Sequence, residues 1–396
     1  MNWIELLKAA PFSGQKVKPF DGHKKYLATG SLVGDDINFE EVTYQNKPSR
    51  ASIEVSQGDI IFAKMKDTNK VLLVDESLSG IIVSSGFSVH KCGKNLNPVY
   101  FKHLLEHNIF LRQKDKYCTG AIQPAITNTG LKKIKIPLPA LIVQNSIAKI
   151  LSDCENVIQK RKESIDLLDN YLKSKFFEMF GELTSKENTW PIKTLESICE
   201  KIVDCPHDTP TYSEQKTGYY CVRSSDIQNG EIVLSAIRNV SKAVYQERTK
   251  RHIPNVGEVV FTREGGRFGN AGRIPTEERI CLGQRMMLFR AKEGLSTNNF
   301  IWALISSERM QRLFKKMSKG GAAPRVNISD LKKIKLSIPD YSLQLEFDFV
   351  VNTVDQVKST MQTSLNEIEN LYDSLSQSAF NGELNLNRVE SNDVEA

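Results

Sequence analysis

The sequence predicts an α+β chain made of two tandem, mixed β-rich/α globular lobes. Each lobe is followed by a long helix, and the two helices pair as an antiparallel coiled coil about a pseudo-twofold. Three observations predict this. First, Leu131-Lys132-Lys133-Ile134-Lys135-Ile136-Pro137-Leu138-Pro139 returns 200 positions later as Leu331-Lys332-Lys333-Ile334-Lys335-Leu336-Ser337-Ile338-Pro339, and Gly120, Pro124 and Gln144 are matched by Gly320, Pro324 and Gln344. Solenoid units run only about 20–50 residues, so each copy is a whole domain with its connector. Second, each copy ends in a sustained heptad of apolar residues. Third, charge is segmented: net +6 over residues 1–140, −1 over 141–185, +9 over 186–340 and −8 over 341–396.

The first lobe, residues 1–140, has short apolar runs broken by Gly, Asn and Asp: Tyr26-Leu-Ala-Thr, Ile53-Glu-Val, Asp59-Ile-Ile-Phe-Ala-Lys64, Val71-Leu-Leu-Val and Ile81-Ile-Val. This is the signature of strands and turns. Asn97-Pro98 then reads as an N-cap with proline in the first helical position, followed by apolar residues at helical spacing. After the loop holding Gln123 and Pro124, the repeated Leu-Lys-Lys-Ile segment reads as a strand.

From 141 to 185 the period changes. Ile147, Leu151, Cys154, Ile158, Arg161, Ile165, Leu168, Leu172, Lys175 and Met179 alternate steps of four and three, the seam of a helix that packs on a partner helix. About 35 residues would span roughly 50 Å, more than a lobe requires.

The second lobe, 186–340, repeats the strand-and-turn texture, then predicts one helix from Asn299 to Lys316 and a loop, Gly320 to Arg325. In the second spacer helix, 341–384, the seam reads Phe347, Val350, Val354, Val357, Met361, Leu365, Ile368, Leu371, Leu375, Ala379. Residues 385–396 are acidic and polar, and a disordered tail is expected.

At 396 residues, 40% hydrophobic and 25% charged, the chain has an ordinary globular composition and two or three domains. No apolar run approaches the roughly 18 residues of a membrane span, and the start lacks a signal-peptide pattern, so a cytoplasmic protein is expected. Seven cysteines without a C-x-x-C pair predict neither a disulfide framework nor a zinc site, only reduced packing residues. Two basic lobes fit two grips on a polyanion, because phosphate contacts supply most non-specific nucleic-acid affinity; Lys-rich surfaces also simply keep proteins dissolved.

The order lobe, long helix, lobe, long helix resembles the specificity subunits of Type I restriction–modification enzymes. The likeness is carried by the two Gly-x-x-x-Pro…Leu-Lys-Lys-Ile-Lys segments, by the Gln that opens each helix, and by the helix ends Phe180-Gly-Glu-Leu and Phe380-Asn-Gly-Glu-Leu. Asp204-Cys-Pro-His207-Asp-Thr-Pro210 and Gly257-Glu-Val-Val-Phe-Thr-Arg263 in the second lobe add to it; the first lobe has no Asp-x-Pro-His segment. The resemblance implies that each lobe is a target recognition domain for one half of a bipartite sequence in double-stranded DNA, with the helices fixing the gap. It implies a non-catalytic chain with no cofactor of its own. Two modification subunits would bring S-adenosylmethionine and methylate adenine, and would in turn recruit restriction subunits.

Within that frame, Arg263, Arg267 and Arg273 lie on a glycine-rich stretch between two strands. A guanidinium fork can bind guanine O6 and N7 together, and glycines let backbone approach DNA; a solvated hairpin turn is the plain alternative. Gln284 and Arg285, just before an apolar strand, are candidates of the same kind. In the first lobe the equivalent turn carries Lys64, Lys66 and Lys70, which suit phosphate contact, since an ammonium lacks bidentate geometry. Ser84, Ser85 and Gly86 occupy the place of Gln284 and its neighbours. Gln123 and Arg325, in the repeated loops, either touch the DNA backbone or sit where the preceding helix ends.

Enzyme motifs are lacking. Neither a P-loop nor a strand–G-x-G-x-x-G–helix appears. Asn97-Pro98-Val99-Tyr100 differs from the Asn-Pro-Pro-Tyr of adenine methyltransferases at Val99 and reads better as a helix cap. His207 beside Asp204 and Asp208 has no second histidine at ligand spacing, so ordering its loop by hydrogen bonds fits better than holding a metal. A chain that fuses recognition with its own DNA-modifying activity is the alternative reading.

Overall fold

A computed structural model describes residues 2–34, 36–184, 189–276, 278–318 and 324–384. The expected disordered tail and residues 320–323 of the second loop lie outside these. The chain is mixed α/β and divides into two compact units, residues 1–161 with 364–396, and residues 162–363. Two long helices, Leu141–Phe180 and Tyr341–Asn381, each contribute to both units. Among the described residues no helix is long and apolar enough to cross a membrane.

In the first unit, a five-stranded sheet runs in the order Gln15–Lys16, Ala51–Glu54, Ile82–Ser84, Lys24–Leu27, Glu40–Val42. Beside it lies a three-stranded sheet of Phe87–Lys91, Asp59–Ala63 and Val71–Leu73, then helices Pro98–Glu106 and Asn108–Lys116. The second unit centres on a six-stranded sheet that includes Cys199–Asp204, Met286–Ala291, Val259–Thr262 and Ala271–Arg273, followed by helices Asn298–Ser306 and Glu308–Met317. The helix expected from Asn299 to Lys316 is therefore two. Ser307 is extended, and its hydroxyl accepts from Met310 N–H, so it ends one helix and caps the next. His107 interrupts the first unit's helix in the same way.

The repeated Leu-Lys-Lys-Ile segment is not one strand. Thr127 caps a short turn, Asn128–Leu131, and only Lys135–Pro137 is a strand; in the second unit the helix Ile328–Lys332 precedes the strand Lys335–Ser337. The apolar spacing explains this, since Leu131 to Ile134 is a helical step of three and Ile134 to Ile136 a strand step of two, and all three are fully buried. Each strand pairs with a short one at the start of its lobe: Ile4 faces Ile136, and Lys193 faces Leu336. These opening strands carry too short an apolar pattern to be read from sequence.

The repeated glutamines fix where each long helix leaves its lobe. Gln144 is fully buried; its amide donates to Asn95 and Pro139 carbonyls at 2.9 and 2.8 Å, and its oxygen accepts from Asn97 N–H at 2.9 Å. Gln344, also fully buried, donates to Leu295 and Pro339 carbonyls at 3.1 and 2.9 Å and accepts from Thr297 N–H at 3.2 Å.

Segments of the long helices enter the core of each unit. In the first, Ile147, Ala148 and Leu151 share a cluster with Ala379, Phe380, Tyr100 and Phe101. In the second, Phe176 and Phe180 pack on Phe347 with ring centroids 5.4 and 5.5 Å apart, within a cluster that includes Phe300 and Val351. In both, rising numbers on one helix meet falling numbers on the other. Two expected seam residues do not take part: Val357 and Leu371 are 38% and 52% exposed, and Lys358 and Tyr372 stand on the inner face instead.

Replacing Gln344 with Leu leaves buried backbone groups without partners, a loss of about 1–3 kcal/mol. Urea unfolding should show that drop, with Gln144→Leu giving the same, while Gln356→Leu at an exposed position of the second long helix stays within about 0.5 kcal/mol of the parent.

Candidate nucleic-acid interface

Three segments separated in sequence meet in the first unit. The turn after Asp59–Ala63 is bound to the segment 84–86 through Lys64 N–H to Gly86 carbonyl, 2.9 Å. It is bound to the loop after Gly120 through Lys66 N–H to Pro124 carbonyl and Ile126 N–H to Lys64 carbonyl, both 2.9 Å. The second unit repeats the pattern with different side chains. Arg263 N–H donates to Arg285 carbonyl at 3.0 Å, Gly265 N–H to Pro324 carbonyl at 3.0 Å, and Val326 N–H to Arg263 carbonyl at 3.2 Å. Thus all three candidate segments of each lobe form one surface, held by backbone bonds that do not depend on the side chains displayed.

Each turn is also fastened from below. Buried Lys114 donates to the carbonyls of Met65 and Thr68, and Gln311 donates to Gly269 carbonyl at 2.8 Å. Gly265 and Gly269 have φ of +93° and +96°, a region open to glycine, and a Cβ on Gly269 would lie 2.3 Å from the Gln311 amide oxygen.

The candidate side chains divide by exposure. Lys66, Gln123, Arg267, Arg285 and Arg325 are exposed. Arg285 has φ +71°, a conformation that costs a non-glycine residue about 1 kcal/mol and turns it out of the sheet, with its Nε 3.5 Å from Glu264. Lys64 is half-buried, and burial lowers its pKa. Lys70 is half-buried and donates to Thr29 carbonyl at 2.7 Å. Ser84 is buried and accepts from Gly86 N–H, while Ser85 N–H donates to Arg50 carbonyl. Exposed Arg50 thereby joins this surface, brought there by the pairing of Ala51 with Ser84. Nothing local in the sequence marks it.

Two arginines expected on the surface are engaged inside. Arg263 Nε donates to Asp204 at 3.0 Å, and a terminal nitrogen donates to His207 Nδ1 at 3.0 Å, with the side chain only 10% exposed. Since arginine only donates, His207 Nδ1 is the acceptor, and Nε2, 3.2 Å from Asp204, carries the proton. Arg273 lies in the strand rather than the turn, pairs bidentately with Asp355 at 2.8 and 2.9 Å, and sits 4.3 Å over Trp302. Their partners lie 59 and 82 residues away, so residue type alone could not separate them from Arg267.

Gln284 holds a loop in place: its amide donates to His207 carbonyl at 2.6 Å and its oxygen accepts from Thr209. Buried Arg248 fastens the same loop through the carbonyls of Pro206 and Asp208. The ring of His207, 68% exposed, consequently stands at the edge of the surface. The Asn97 side chain caps its helix by accepting from Val99 and Tyr100 N–H, and Tyr100 is fully buried with its hydroxyl on Pro137 carbonyl. Neither is available to hold a base.

A family model described as the Type I restriction modification DNA specificity domain matches residues 7–167 and again 187–370. The type I restriction enzyme MjaVIII specificity subunit of Methanocaldococcus jannaschii is 22% identical over 383 residues, covering 93% of this chain and 88% of that protein. Among solved structures, a chain of a type I R-M system superposes with a TM-score of 0.59 at 19% identity, covering 97% of this chain and 98% of that one. A Type-I restriction-modification system S subunit from M. genitalium gives 0.52 at 14%, covering 96% of each. These two likenesses show the fold.

Arg263→Ala leaves the mostly buried Asp204 with the His207 Nε2–H alone, so the second unit should lose about 1–3 kcal/mol, whereas Arg267→Ala should stay within about 0.5 kcal/mol. Urea unfolding of the two variants side by side separates an internal strut from a free surface arginine.

Proposed function

The chain belongs to the family of Type I restriction–modification DNA specificity proteins, and from that membership we propose that it is the non-catalytic subunit that reads a bipartite target in double-stranded DNA, one half-site per unit. The observation that carries this reading is the convergence, by equivalent backbone bonds, of the turn, the strand-entry segment and the repeated loop in both halves. Base reading falls to the exposed forks of Arg267 and Arg285 in the second unit, with His207 and Arg325 at the edge. In the first unit Gln123 and Arg50 face the bases, and Lys66, with Lys64 and Lys70 behind it, contacts the phosphates. Arg263, Arg273, Gln284 and Ser84 serve as supports.

In this reading the two long helices form an antiparallel coiled coil that spaces the half-sites. Methyltransferase subunits, which bring S-adenosylmethionine, dock along the helices, where Ile142, Leu167, Phe177 and Phe349 are 61–74% exposed. Restriction subunits join through those partners.

Sequencing methylated adenines in DNA from cells that express this chain with a modification subunit yields the motif. Binding to single-base variants of that motif at two salt concentrations then tests the assignments. Arg267→Ala and Arg285→Ala should each lose about 1–3 kcal/mol of discrimination in one half-site only, while Lys66→Ala should weaken all sequences alike and lower the salt slope by about one. Loss in both half-sites from a single arginine change would refute the division of labour.

Four residues inserted beside Arg161 add about 6 Å and a rotation of about 40° to the helix. The methylated motif should keep both half-sites and change its gap; an unchanged gap removes the spacer from the proposal.

A further inference from the structure

The helix seam carries polar contacts that the surface described above does not use. In the second unit, Lys358 of the second long helix donates to Asp169 of the first at 2.7 Å and to Glu231 of the lobe at 2.5 Å, and its side chain is only 12% exposed. Three residues earlier, Asp355 takes the bidentate pair from Arg273, which also donates to Asn299 at 2.8 Å and stacks on Trp302. Arg273 faces Val259 across the hairpin whose other end displays Arg267. The base of that hairpin is therefore bolted to the helix, and its tip is part of the candidate DNA surface.

The first unit has a counterpart of different chemistry. Tyr372 of the second long helix donates to Glu155 of the first at 3.1 Å, and Lys102 of the lobe binds both Glu155 and Glu106, at 3.3 and 3.1 Å. Burial pushes the Glu155 carboxyl up, but His103 and Lys102 pull it down to about 2. Lys102 already lies against both carboxylates beside His103, so this group is an ion-paired strut and not an open metal site. Glu155 and Asp169 are two heptads apart on their helix, as are Lys358 and Tyr372 on theirs.

Apolar contact is non-directional, so a wholly apolar seam tolerates small rotations and slides. A bidentate Arg–Asp pair does not, because a small displacement breaks both bonds. Ion pairs of this kind add little net stability, since desolvation offsets attraction, whereas a single polar group in a helix seam is a well-attested way to fix register.

We propose that Arg273–Asp355 and Lys358–Asp169–Glu231 are positioning contacts that hold the second lobe at one angle on the helix pair, and so set how strictly the gap between half-sites is enforced. This rests on the reading of the chain as a reader of two half-sites. The contacts touch no base; they act through the hairpin that carries Arg267.

The test uses the full chain assembled with its methyltransferase subunits, and duplexes carrying the methylated motif with its native gap and with gaps one and two base pairs longer or shorter. Asp355→Ala and Lys358→Met should bind the native gap within about twofold of the parent and lose about tenfold of discrimination against a one-base-pair change, equivalent to about 1.4 kcal/mol. Lys358→Arg, which keeps the charge, should behave as the parent. Lys358→Met leaves Asp169 and Glu231 without their cation, so its thermal melting should fall below the parent's while Lys358→Arg stays with the parent. Gap discrimination is read relative to each variant's own native-gap affinity. Unchanged gap discrimination in both variants, looser base choice within a half-site, or a Lys358→Arg variant as permissive as Lys358→Met would each overturn the proposal. If the parent complex itself ignores the gap, the two-half-site reading fails first and the inference falls with it.

Discussion

Two fully buried glutamines, Gln144 and Gln344, hold the architecture together. Each satisfies two carbonyls and one N–H at a point where the chain changes from lobe to helix. Buried backbone groups without partners are costly, and no regular element can serve these three, because they lie at a helix start, a strand end and the loop between. One primary amide with an acceptor and two donors fits the need, which is why the residue recurs with the same bonds in both units while most neighbouring residues differ. With that junction fixed, Pro139 and Pro339 hand the chain to the long helices at equivalent places.

The same economy shapes the candidate DNA surface. Turn, strand entry and loop are joined in both units through main-chain atoms, so Lys64 occupies the place of Arg263, Gly86 that of Arg285, and Pro124 that of Pro324. A frame built from backbone bonds permits exchange of the displayed side chains without loss of the frame. Differences between the lobes collect on the exposed face, where lysines predominate in one and arginines in the other. Different half-sites are the expected consequence, since ammonium and guanidinium groups address different features of DNA.

The long helices join stability with geometry. Their ends enter the cores, through Ile147 and Phe380 in one unit and Phe176 and Phe347 in the other. Between those ends the inner face admits Lys358 and Tyr372, whose hydrogen bonds reach both the other helix and, through Glu231 and His103, the lobes. Apolar burial holds each unit together, and the polar contacts fix its angles.

The sequence by itself determined the tandem plan, the two long helices and the three segments of each lobe that the fold brings together. Those features are periodic or repeated, and periodicity survives without knowledge of long-range contacts. It also placed Arg267, Arg285, Lys66 and Gln123, which the fold leaves exposed. Only the tertiary structure decided which basic residues are free. Arg263 and Arg273 look like Arg267 in sequence, but Asp204 and Asp355 lie far along the chain, and a guanidinium is drawn to whichever carboxylate the fold brings within reach. The seam was misread at Val357 and Leu371 for a related reason. Hydropathy assigns an inner face to apolar residues, whereas Lys358 and Tyr372 turn inward because partners wait there.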